Sequence, residues 1–219
     1  MTIDTISKTE ARMLGVLLEK AMTTPENYPL SLNTAVNGAN QKSNRHPILS
    51  LDEDEALEAL EGLVDKNLAK RVFPGHSRVE KFAHTAGGRL GLNSASLAIL
   101  AELMLRGPQT LGELRTRARR MAPLESLEFV EGVLAQLSEA RLSMRLPPDP
   151  GGRAERYAQL LCPDAHPLDE PSPHSESRRA DRDHGGAPAD PDMLAALIER
   201  VAALERRVLD LEQQLGVAT

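Results

Sequence analysis

Six histidines, one cysteine and a scatter of serines are the side chains in this sequence best suited to metal, acid–base or nucleophilic chemistry. His76 and His84 flank a predicted hairpin, and His166, His174 and His184 lie toward the C-terminus. None has the His-x-x-x-His spacing that sets two imidazoles on one helix face, and the lone Cys162 cannot build a thiolate metal site. Ser43, Ser77 and Ser96 lack a base and an orienting acid in any motif that would activate a hydroxyl. No glycine-rich phosphate loop follows a predicted strand, so Gly75 and the Gly151-Gly152 pair read as turn residues. These spacings predict no catalytic residue, no metal and no cofactor.

Recognition of charge is the other chemistry on offer. Lys42, Asn44 and Arg45 sit in a polar turn, Gln41 to Pro47, and Arg71, Arg78 and Lys81 flank the hairpin. Arg115, Arg117, Arg119 and Arg120 crowd one helix, where Arg115 and Arg119 share a face, as do Arg117 and Arg120. Such a run is either a solvated face with local pairs such as Glu113–Arg117, or a contact for phosphate or acidic side chains. The turn likewise either ties the backbone together through Asn44 and its neighbours or presents Lys42 and Arg45 to a partner. Lys42, Asn44, Arg45, Arg71, Arg78, Lys81, Arg115, Arg119 and Arg120 are therefore the candidate anion- or partner-binding residues. Tyr28 and Phe82 read as packing residues, since aromatics at 2% are too few to line a strand-binding groove.

The elements that would carry these groups can be read from caps and periodicity. Ser7-Lys8-Thr9-Glu10 fits a capping box, and a helix follows to about Ala21 with Met13, Leu14, Leu17 and Leu18 on one face. Thr24-Pro25 breaks it. A second helix runs from about Ser31 to Asn40. After the polar turn, Ser50 or Asp52 caps a third helix on which Leu57, Leu60, Leu63 and Val64 repeat at helical spacing. Strands are predicted at Leu68 to Phe73 and Val79 to Phe82, joined by Pro74-Gly75-His76. The second half repeats the plan, with helices at about Ser94–Leu105, Thr110–Arg120 and Ser126–Glu139. Strands follow at Leu142–Leu146 and Arg156–Ala158. Leu134, Leu137 and Leu142 keep the spacing of Leu60, Leu63 and Leu68, each 74 positions further on.

Three helices followed by a hairpin is the layout of a winged helix, so the predicted fold is mainly α with small β-hairpins. It comprises two tandem winged-helix domains, at 1–90 and 91–161. Composition agrees: with 2% aromatics and no Trp, the cores must be built from Leu, Val, Ile, Met and Ala, which suits helices. A single cysteine fits a reducing cytoplasm. The polar N-terminus has no signal-peptide core, and no apolar run approaches ~18 residues, so no membrane association is expected.

Several stretches carry a family resemblance: Glu10-Ala11-Arg12, Leu17-Leu18-Glu19-Lys20, Thr23 to Asn33 (TTPENYPLSLN), Asn40 to Arg45 (NQKSNR), and Leu105 to Thr110 (LRGPQT) with Gly112 to Arg115 (GELR). Over about residues 5–161 the chain resembles the YceH-like family of bacterial proteins. The resemblance implies two winged-helix domains and no assigned reaction or ligand.

The charge pattern bears on what such domains could hold. The net charge of −6 divides into −1 over residues 1–90, +1 over 91–161 and −6 over 162–219. A winged helix usually places its third helix in the DNA major groove, which needs donors facing phosphate. Here the third helix of the first domain carries Asp52, Glu53, Asp54, Glu55, Glu58, Glu61 and Asp65, and that of the second carries Glu125, Glu128 and Glu131. Two function classes stay open. One is a DNA-associated regulator that uses wings, turns and the Arg cluster instead of the third helices; the other is a protein-interaction scaffold. The fold favours the first, which serves as the working reading, and the charge pattern favours the second.

The remainder divides again. Residues 162–190 are acidic and poor in large apolar side chains, which predicts a disordered linker. Within 191–217, Leu194, Val201, Val208 and Leu215 fall at heptad a positions, and Leu197, Leu204 and Leu211 at d. Arg200 and Arg207 at g would meet the Glu205 and Glu212 of a parallel partner at e. This predicts a homodimer of about micromolar strength through a short coiled coil, with packing on the chain's own domains as the alternative.

Overall fold

The computed structural model describes residues 5–73, 79–149 and 153–166. All lie in one compact unit, Met1–Ser172; the second unit, Pro173–Thr219, falls outside the described residues, as do the expected coiled coil and nearly all of the linker. The order is α1 (Lys8–Thr23), β1 (Leu30–Ser31), α2 (Leu32–Ala39), α3 (Glu53–Asp65), β2 (Ala69–Val72), β3 (Lys81–His84), α4 (Ala86–Leu90), α5 (Ser94–Arg106), β4 (Gln109–Thr110), α6 (Leu111–Ala118), α7 (Leu127–Glu139), β5 (Ser143–Leu146) and β6 (Arg156–Gln159). The described fold is thus a mixture of seven α-helices and two antiparallel three-stranded sheets, ordered β1-β3-β2 and β4-β6-β5.

Local chemistry explains most of the boundaries. Ser7 and Glu10 close the predicted capping box on α1, and Asp52 with Glu55 does the same for α3, so Asp52 and not Ser50 is the cap. Thr110 and Glu113 cap α6, which ends at Ala118, two residues short of the expected Arg120. The two-residue strands β1 and β4 and the short α4 were not foreseen, because elements this brief carry no periodic signal.

The internal repeat extends well beyond three leucines. Leu60, Leu63 and Leu68 are buried, and so are Leu134, Leu137 and Leu142. Asn67 and Arg141, again 74 positions apart, both adopt left-handed backbone, at φ 56° and 57°. The N–H of Leu68 donates to Leu63 O and that of Leu142 to Leu137 O, each at 2.8 Å. The same reversal of chain direction therefore leads from α3 into β2 and from α7 into β5.

The first helices of the two repeats, α1 and α5, pack along each other at the centre of one continuous core. Every residue from Glu10 to Glu19 is buried, as is every residue from Ala95 to Leu105. Burial on all sides marks a central helix. Gly15 permits the close approach, since a Cβ there would lie 2.9 Å from Leu105 Cγ. The ends of the unit meet as well, with Ile6 N–H donating to Leu161 O at 2.9 Å. No helix among the described residues is long and apolar enough to cross a membrane.

Candidate functional site

Two buried glutamates occupy matching places on the central helices. The N–H groups that close α1 and α5 donate to Lys20 O and Leu103 O, both at 3.0 Å, and Glu19 and Glu102 each stand one residue earlier. Glu19 is 1% exposed and Glu102 0%. A carboxylate withdrawn from water must be paired and hydrogen-bonded. Arg45 supplies this to Glu19 through a two-pronged contact, Nη1 to Oε1 at 3.1 Å and Nη2 to Oε2 at 2.5 Å. Arg120 Nη2 spans the two helices, donating to Glu19 Oε1 at 2.6 Å and Glu102 Oε1 at 2.7 Å. Arg106 Nε lies 3.0 Å from Glu102 Oε2, an ion-pair distance without hydrogen-bond alignment, and its Nη2 donates to Asn44 Oδ1.

The electrostatics of this seam follow from burial set against pairing. Burial pushes the Glu19 carboxyl upward, but the hydrogen bonds and charge of Arg45, then of Arg120, outweigh it and hold the group below the usual carboxylate range. Arg120 is likewise pushed down by burial and raised, on balance, by Glu102 and Glu19. Arg106 shifts downward, first by burial and then, against the pull of Glu102, by Arg117, Arg120 and Arg45. Arg12, beside them on α1, is lowered to about 10 by burial and by Arg45. It donates to Ala39 O at 2.9 Å and Pro47 O at 2.6 Å, so its charge is spent on holding the turn.

This geometry gives the place of the candidates that fall among the described residues. Arg45 is buried, and its Nε also donates to Gly38 O at 3.0 Å, so it ties the turn to the core instead of projecting outward. Asn40 braces the same turn, donating to Leu51 O and accepting from Leu51 N–H, both at 2.8 Å. Asn44 is exposed but accepts from Arg106. Arg120 is the bridge of the seam. Arg115 donates to Leu124 O at 3.4 Å and Glu125 O at 2.8 Å, which fastens the loop before α7. Arg71 contacts Glu61 at 2.7 Å and Glu80 at 3.4 Å. The Glu113–Arg117 pair is present at 3.5 Å. Lys42, Lys81 and Arg119 are the candidates whose side chains have neither an ion pair nor a hydrogen bond among the described residues. Arg78 and the heptad residues Leu194, Leu197, Val201, Leu204, Val208, Leu211 and Leu215 lie outside the described residues.

Sequence reasoning missed Glu19, Glu102, Arg106 and Arg12. A signal existed: Glu102 is the one charged residue in the apolar stretch Leu97–Leu105, and Arg12 and Glu19 bracket an otherwise uncharged run. Charges at core positions of a helix call for partners.

The acidic helices remain at the surface. Asp52, Glu53, Asp54, Glu55, Glu58 and Glu61 of the first repeat are exposed, and so are Glu125, Glu128 and Glu131 of the second. Glu128 is held below the usual range by its own backbone N–H, the Ser126 hydroxyl and, more weakly, Arg115. Two large apolar side chains stand among the carboxylates, Leu127 at 42% and Phe129 at 43% exposure. Among the described residues no group of three His, Cys, Asp or Glu is arranged to hold a metal ion.

Comparison with known proteins follows the sequence motifs. The model of a family described as "Protein of unknown function, DUF480" matches residues 6–152. A UPF0502 protein of Geotalea daltonii is 49% identical over 177 residues, 80% of this chain and 81% of that protein. One from Geobacter sulfurreducens is 46% identical over 208 residues, 94% and 90% of the two chains. One from Koribacter versatilis is 50% identical over 155 residues, 70% and 72%.

Proposed function

The chain belongs to the DUF480 family of bacterial proteins, in line with the YceH-like resemblance of its motifs, and we propose that it is a non-catalytic protein-interaction module. In this reading each repeat is a winged helix, and the third helices α3 and α7 are docking faces for protein instead of DNA readers. The observation that carries the reading is the disposition of charge. Carboxylates cover both third helices, while Arg45, Arg71, Arg115 and Arg120 are already held by carboxylates or carbonyls of the chain itself. Each carboxylate set about 4 Å from a phosphate costs on the order of 1 kcal/mol even at the dielectric of water. Exposed Leu127 and Phe129 on α7 add the apolar anchors that protein interfaces use.

The DNA-associated reading rests on a smaller observation, that Lys42, Lys81 and Arg119 have side chains without ion pairs among the described residues. Three cations make a shallow salt dependence compared with a dedicated binder. Self-association through the heptads of 191–217 and residence in a reducing cytoplasm complete the proposal; the buried, single Cys162 suits the latter.

Fluorescence anisotropy with random duplex DNA, from about 50 to about 200 mM salt, separates the readings. The interaction reading expects no salt-sensitive binding, and a photo-crosslinker at position 129 that captures protein and not nucleic acid in cells. Tight, steeply salt-dependent DNA binding that is lost in Arg119→Glu would reject it.

A further inference from the structure

The two repeats differ in several side chains on and beside their third helices: Leu57, Glu61, Val64 and Lys70 of the first stand where the second has Glu131, Ala135, Ser138 and Met144. In the first, Glu61 on α3 and Arg71 on β2 are joined at 2.7 Å, an ion pair that spans from helix to strand. Their counterparts 74 positions on are Ala135 and Arg145. Ala135 carries no charge, and Arg145 pairs with Glu155, as Arg71 does with Glu80. No ion pair among the described residues spans from α7 to β5, and a groove of about 190 Å³ lies between them. Glu131, Ala135 and Ser138 line it from α7, and Met144, Arg145 and Tyr157 from β5 and β6. Leu127, Glu131 and Ala135 succeed one another at intervals of four on α7, so the exposed Leu127 continues the same stripe.

We propose that this groove receives a basic amphipathic segment of a protein partner. One apolar side chain enters between Ala135 and the Met144–Tyr157 side, and flanking lysine or arginine side chains face Glu128 and Glu131. The proposal rests on the reading of α7 as a protein-docking face and names the chemistry of what docks. Charge complementarity carries it. Glu125, Glu128 and Glu131 form no ion pair among the described residues, and the one cation lining the groove, Arg145, is held by Glu155. An acidic segment would be repelled. A wholly apolar one would strip water from carboxylates and return nothing to them.

The test uses the full chain and two labelled synthetic peptides, one alternating leucine with lysine and one with glutamate in place of lysine. Anisotropy should show binding of the lysine peptide, and NMR shifts on adding it should cluster at Ala135, Ser138, Met144 and Tyr157. Ala135→Glu restores the Glu61–Arg71 arrangement opposite Arg145 and should weaken binding by about tenfold or more, although it adds a negative charge. Ser138→Phe, which fills the groove without charge, should give the same loss, and Glu58→Gln on α3 should give none. Undiminished binding in Ala135→Glu and Ser138→Phe, or equal binding of the glutamate peptide, would overturn the proposal. Shifts confined to α3 would also overturn it while leaving the interaction reading intact. Duplex DNA shifting α7 residues would reject both.

Discussion

Removing Arg45 should damage the molecule far from any surface it could present to a partner. In Arg45→Met the apolar stem is kept and the guanidinium is lost. Glu19 then keeps only Arg120, which is about a third exposed and shared with Glu102, and the carbonyls of Gly38 and Asn44 lose their donor. Breaking a buried pair by removing one partner costs about 3–5 kcal/mol. Arg120 compensates in part, and the bared carbonyls add to the loss, so about 3–4 kcal/mol is expected. For a unit of this size that corresponds to a fall of about 6–16 °C in melting temperature. Urea denaturation at fixed protein concentration measures it, and one continuous core predicts a single transition for the folded unit. The sign of the pH dependence offers a second check. Glu19 is held below its ordinary value, so its stabilisation is present above the unfolded pKa of about 4.3 and is lost as pH falls through the folded value. Arg45→Met should flatten that acid limb. The double variant Glu19→Gln, Arg45→Met should cost less than the sum of its parts. A change within about 0.5 kcal/mol, or strict additivity, would show that the seam is not a coupled network.

Other consequences can be tested in the same way. His166 is buried and lowered to about 4, chiefly by burial, despite its contact with His46 O. Its charged form is disfavoured in the folded state, so stability should be full above about pH 6.5 and decline by up to about 3 kcal/mol as pH falls toward 4. His166→Phe should remove that slope in equilibrium unfolding measured across pH. Gly107 has φ 80°, and a Cβ there would lie 2.7 Å from His166 Cδ2, so Gly107→Ala should destabilise by about 2 kcal/mol or more in thermal melts. Leu127→Ser with Phe129→Ser should leave stability within about 1 kcal/mol and abolish capture of protein by a crosslinker placed on α7. Leu204→Asp with Leu211→Asp should convert a concentration-dependent dimer to monomer in sedimentation equilibrium; monomer in the parent chain would reject the heptad reading.

Much of the framework is legible in the sequence because it is governed by near neighbours. A hydroxyl and a carboxylate three residues apart start α1 and α6, and a leucine spacing kept in both halves marks two copies of one plan. The exposed carboxylates of α3 and α7 also follow from helical periodicity, which sets which faces point away from the core. The fate of the arginines does not. Arg45 meets Glu19 across 26 residues and Arg120 meets it across 101, so the first pairing exists only once the turn after α2 has folded onto α1, and the second only once the two repeats have packed together. A charged side chain reads the same in sequence whether it faces water or a buried carboxylate, and only tertiary packing decides which. The groove beside α7 has the same origin: Glu131, Ala135, Ser138 and Met144, where the first repeat has Leu57, Glu61, Val64 and Lys70, have meaning only when the two repeats can be compared in space.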